Sequence, residues 1–217
     1  MNRTHILDAG QRWDGALVDD MRGRAEAAVT AATTDLGLDG VDVVVCRYAG
    51  LAIPGIGVGG YCPSAELVLI SLDPADPGFV GDDEESPAWH RTLPSTIAHE
   101  LHHAKRWSGP GYGPRLVDSL VSEGAATLYE IELSGITPPY ARELDDPSGA
   151  WRQARPLLGD TDQHARWFFG SADLPRWTGY ALGTAMARAY ASHTGASARE
   201  LATIPADDVA ASVDAII

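Results

Sequence analysis

A chain of 217 residues with 45% hydrophobic and 21% charged residues has the composition of one compact domain or two small lobes, long enough to bury a substantial core. A formal net charge of −14 argues against nucleic acid and against an anionic membrane surface as partners. Two cysteines, Cys46 and Cys62, make no disulfide framework, and the opening residues run into charge with no apolar stretch long enough for a signal peptide or a membrane span. The expectation is a cytoplasmic protein with both thiols reduced.

In chain order, Gln11 to Leu36 predicts a helix: Trp13, Leu17, Met21, Ala25, Ala28 and Leu36 approximate one face. Val41 to Tyr48 is a β-branched run that reads as a strand. Ile53 to Tyr61 is Gly-rich yet alternates apolar and small residues; a turn at Cys62 to Ala65 leads to a clear strand over Glu66 to Leu72. The last two predict a hairpin, with the Gly-rich member at the sheet edge, because repeated glycine weakens a central strand. Asp73 to Ser86 reads as a loop, and its acidic run Asp82 to Glu85 as solvated surface.

Helices follow. Pro94, placed at a first turn, opens a helix over Ser95 to Trp107. Three glycines and two prolines between Ser108 and Pro114 end it, and a second helix runs from about Arg115 to Leu133. Thr137 to Leu174 reads as irregular chain with short helices, Gly179 to Ser192 as a packed helix, and Pro205 to Ile217 as a short closing one. Strands first and helices second predict an α+β protein. We expect one domain over 1–217, with a sheet and helix lobe at 1–107 and a helical lobe at 108–217.

The chemistry concentrates in His99-Glu100-Leu101-His102-His103. On a helix, residues four apart lie about 40° from each other around the axis and roughly 6 Å along it. His99 and His103 can therefore aim imidazole nitrogens at one ion, with Glu100 beside that face as general base for a metal-activated water. His102 sits about 100° round the helix from His103 and is not expected to be a ligand. A catalytic zinc keeps three protein ligands and one open position, and His₂Glu is an established set. Glu123 on the second helix, flanked by small residues, is the expected third ligand; Asp118 and Glu130 on the same segment are its rivals. Thr127 and Glu130, four and seven residues after Glu123, could face the same side and hydrogen-bond a ligand. A structural zinc would need a fourth protein ligand, and none is evident.

These residues resemble the gluzincin metallopeptidases, in which H-E-x-x-H is followed by a distant glutamate on a second helix. Here nineteen residues separate His103 from Glu123. More narrowly, the motif together with Glu123-Gly124-x-Ala126 and Gly179-Tyr180-x-x-Gly183 is similar to a bacterial family of predicted zinc-dependent proteases. The resemblance covers about residues 40 to 195. It implies a small zincin-like fold: a mixed sheet with a backing helix and an active-site helix, then a helical C-terminal lobe. It also implies a peptide or protein substrate held extended along the edge strand, for which Gly57-Val58-Gly59-Gly60-Tyr61 is the candidate segment.

The expected mechanism uses one Zn²⁺ per chain on His99, His103 and Glu123. Glu100 shuttles the proton, and Tyr180 supports the oxyanion with its hydroxyl. For Tyr180 a purely packed role carries equal weight. A hydrolase dedicated to one peptide or small amide, and a non-catalytic zinc module, remain open beside a general protease. Oligomeric state is left undefined.

Overall fold

The computed structural model describes residues 1–8, 10–83 and 85–216, without the side chains of 214–216. The chain forms two compact units, Met1–Lys105 and Arg106–Ile217.

The first unit is built on a four-stranded mixed sheet. Its strands are β1 (Arg3–Leu7), β2 (Asp42–Arg47), β3 (Val58–Ser64) and β4 (Leu67–Leu72), in the order β1-β2-β4-β3. β1, β2 and β4 run parallel, and β3 returns antiparallel to β4 as an edge strand. Val43, Val45, Val68, Ile70 and Leu72 are fully buried, and the alternate residues other than Ser71 are less so, which marks one covered face. Helix α1 (Gly15–Leu36) connects β1 to β2 and buries Met21, Ala25, Val29, Ala32 and Leu36 along one stripe. It starts at Gly15 rather than Gln11, because the Asp14 side chain caps it by accepting from the Ala16 N–H at 2.8 Å. Gly37 in the left-handed region ends it.

Three features depart from the sequence expectation. β1 was not anticipated: Arg-Thr-His-Ile-Leu shows no clean alternation, and only pairing with β2 makes it a strand. β3 begins at Val58 and runs through Cys62 and Pro63, so the turn is at Ala65 and Glu66 rather than Cys62 to Ala65. Pro63 is tolerated because it sits on an edge strand, where the register shifts between Tyr61 and Ser64. The third departure is Pro94, which lies inside helix α3 (Trp89–Trp107) instead of opening it. A short helix α2 (Pro77–Val80), capped by Asp76, occupies part of the expected loop.

The second unit is helical: α4 (Leu116–Ser134), α5 (Pro147–Ala154), α6 (His164–Phe169), α7 (Thr178–Thr194), α8 (Ala198–Leu201) and α9 (Ala206–Ile216), with 3₁₀ turns at Pro139–Ala141 and Arg155–Leu157. Its core is formed by Leu116, Leu120, Trp151, Trp167, Phe168, Leu182, Met186 and Val209. The α4–α7 pair touches backbone to backbone. A Cβ added at Gly124 would fall 2.0 Å from the Gly183 carbonyl carbon, and one at Gly183 would fall 2.2 Å from the Leu120 oxygen. Arg115 binds Asp118 on α4 and Asp207 on α9, at 2.9 and 3.0 Å. No helix among the described residues is long and apolar enough to cross a membrane.

Candidate metal centre

On α3 the i, i+4 spacing brings the His99 and His103 rings together, with centroids 4.7 Å apart and planes at 80°. Their Nε2 atoms meet at 3.0 Å. Both rings and the Glu100 side chain are buried, and all three offer a ligand atom within 4.8 Å of the others. The donor chemistry fits zinc. Two imidazole nitrogens with bonds of about 2.0–2.1 Å to one tetrahedral ion stand a little over 3 Å apart, close to the spacing these two already hold. His102 is fully buried, which excludes a place on the rim of a cleft.

The edge strand lies directly against this group. A Cβ added at Gly60 would fall 2.4 Å from Glu100 Cγ and 2.5 Å from its Oε1, so only glycine lets β3 approach the carboxylate this closely. Gly60 pairs with Ile70 and shares the covered face of the sheet, whereas Tyr61 turns the other way and is 54% exposed. Val58 and Gly59 are buried; Gly57 precedes the strand, in the left-handed region and flush against Phe79. Cys62, two residues along β3, has its thiol pushed up to about 12 by burial first and by the charge of Glu100 second. It donates to the Ser64 carbonyl at 3.1 Å. A thiol held this firmly protonated is neither nucleophile nor ready ligand.

The other expected residues stand in the helical unit. Glu123 is half-buried on α4, next to Gly124 at the α7 crossing. Tyr180 is half-buried on α7, one turn before Gly183, with its ring between Phe168 (4.9 Å) and Tyr140 (5.0 Å). Of the two rival carboxylates, Asp118 is taken up at the start of α4. It accepts from the Arg115 side chain at 2.9 and 3.0 Å and from the Arg115 backbone N–H at 3.1 Å. Glu130 accepts from the Tyr140 hydroxyl at 2.6 Å. The hydroxyl of Thr127 is buried and meets no hydrogen-bond partner among the described residues. The Tyr140–Glu130 pair is a feature that sequence reasoning missed. No helical spacing links an irregular-segment tyrosine to α4, and the Pro138-Pro139 run before Tyr140 is the one signal of a fixed turn.

The structure thus defines an α+β protein with a buried His-Glu-His candidate metal centre, packed under the edge strand of a mixed sheet. Residues 78–211 match the model of the family described as predicted Zn-dependent protease (DUF2268), and the chain belongs to that family. Neither a curated protein nor a solved structure gives a significant match.

Proposed function

We propose that the protein is a zinc-dependent peptide hydrolase of zincin-like build, with His99, His103 and Glu123 as metal ligands and Glu100 as general base. The observation that carries this reading is the meeting of two buried imidazole Nε2 atoms at 3.0 Å, with the Glu100 carboxylate beside them under a glycine of the edge strand. Glu123 is taken as the third ligand on its place in the sequence, nineteen residues after His103 and followed by Gly124 and Ala126. A bound Zn²⁺ would supply Lewis acidity, polarising the scissile carbonyl and lowering the pKa of water to about 7.

The chain's own residues do the rest. Glu100 takes the proton of the attacking water on a carboxylate oxygen and hands it to the leaving amine nitrogen. Tyr180 donates its hydroxyl to the carbonyl oxygen as negative charge builds there. Beyond Val58, whose carbonyl already accepts from the Ile53 N–H at 3.2 Å, the edge of β3 pairs with an extended peptide through backbone hydrogen bonds, which give affinity without demanding one sequence. The family's description as a predicted protease supports a peptide or protein substrate.

Elemental analysis of the purified protein tests the ligand set. About one zinc per chain is expected, and His99→Ala, His103→Ala and Glu123→Ala should each lose most of it. Full zinc in Glu123→Ala would reassign the third ligand.

A further inference from the structure

Tyr180 is held by an arrangement more elaborate than packing requires. Tyr140, next to it, is 7% exposed and donates its hydroxyl to Glu130, which is 2% exposed. Their separation of 2.6 Å is that of a short O–H···O bond between two buried side chains. Glu130 lies seven residues after Glu123, hence within about 20° of it around α4. The pair therefore sits on the same strip of α4 as the proposed ligand, two turns along.

The Tyr140 ring packs on Tyr180 at 5.0 Å with planes at 47°. From the other side Phe168 meets Tyr180 edge-on, at 4.9 Å and 86°. Phe168 comes this near because residue 179 has no side chain: a Cβ there would fall 2.9 Å from the Phe168 ring. The helix entry is fixed as well. Trp177 precedes α7 with φ of 72°, a conformation that costs a bulky residue energy and persists where the surroundings over-determine it. Its ring meets Tyr140 at 6.4 Å and carries the Arg176 guanidinium at 4.3 Å.

A buried carboxylate–phenol pair is a costly way to fill space, since apolar groups of the same volume need no partners. A hydroxyl that must meet a developing charge gains from a ring already aimed. We propose that Tyr140 and Glu130 are positioning residues: Glu130 pins Tyr140, and Tyr140 holds the Tyr180 ring in the orientation that lets its hydroxyl reach the substrate carbonyl. The inference rests on the reading of Tyr180 given above.

A double-mutant cycle on the full-length, zinc-loaded protein tests it, with a quenched fluorescent peptide library as substrate and zinc content and Tm recorded for each variant. Tyr180→Phe should lower kcat by roughly 10²-fold or somewhat less. Tyr140→Phe keeps the ring, loses the pin, and should lower kcat about tenfold with KM unchanged. The double variant should be no slower than Tyr180→Phe alone, because no hydroxyl is left to aim. Glu130→Gln, which keeps an acceptor oxygen, should retain most of the activity. An arm that needs no turnover follows the Tyr180 ring-flip rate by NMR on ¹³C-labelled tyrosine, expected to rise in Tyr140→Phe. Additive losses in the double variant, or an unchanged flip rate, overturn the positioning role. Wild-type kcat in Tyr180→Phe overturns the reading of Tyr180 itself, whereas wild-type kcat in Tyr140→Phe beside a slow Tyr180→Phe overturns only the positioning.

Discussion

Glu100 and Gly60 are pressed together, and substitutions at the two positions separate chemistry from packing. Glu100→Gln keeps the shape of the side chain and removes its basicity. Zinc should stay bound while turnover falls about 10²- to 10⁴-fold, the usual range for a lost general base. Gly60→Ala puts a methyl 2.4 Å from Glu100 Cγ. What must yield there is a side chain rather than backbone, so the stability cost should stay at about 1 kcal/mol. Activity should nevertheless fall with zinc content intact, since the carboxylate has been moved. Turnover, elemental analysis and Tm on both variants check this; a fully active Gly60→Ala would show that the carboxylate position is not critical. His99, Glu100 and His103 were legible in the sequence because the helix period alone converts their spacing into a shared face. The closeness of Gly60 to Glu100 was not, as it depends on how a strand forty residues earlier packs against α3.

Among the elements, the α4–α7 crossing depends on two glycines that the motif residues Glu123 and Tyr180 flank. An added methyl at Gly183 would meet the Leu120 carbonyl oxygen at 2.2 Å, and a backbone in a packed helix pair cannot step aside. Gly183→Ala should cost about 1–3 kcal/mol or more by overpacking. Gly23 is the contrast: exposed in mid-α1 with nothing within 4 Å of a new Cβ. There Gly→Ala should raise stability by about 0.4–1 kcal/mol, by restricting the unfolded chain and favouring the helix. Chemical denaturation of both variants should give opposite signs, and a neutral Gly183→Ala would mean that the crossing relaxes. Helix α4, bounded by a Gly/Pro turn and Gly135, was readable to within a residue or so. β1 was not, because a parallel edge strand carries no local signal beyond its partner's register. The start of α3 was also misread, since proline usually marks a first turn and here lies six residues in.

For the whole molecule, the division at Lys105 and Arg106 puts His99 and His103 in one compact unit and Glu123 in the other. A ligand that binds only the native state stabilises it by mass action, about 4 kcal/mol when free metal exceeds Kd a thousandfold. Removing zinc with a chelator should therefore lower Tm. Glu123→Ala should show the lower Tm even with metal present. An unshifted Tm after complete metal removal would rule out a stabilising ion. The order of strand-like and then helix-like segments made the α+β class readable.

The order of ligands along the chain also bears on biosynthesis. His99 and His103 leave the ribosome before Glu123, and at about 5–20 residues per second the intervening stretch takes roughly one to four seconds. During that interval a nascent chain offers only a two-imidazole half-site. On the proposed ligand set, metal capture is then a late event in maturation, completed once α4 has been made, so hydrolytic competence would not precede the synthesis of Glu123.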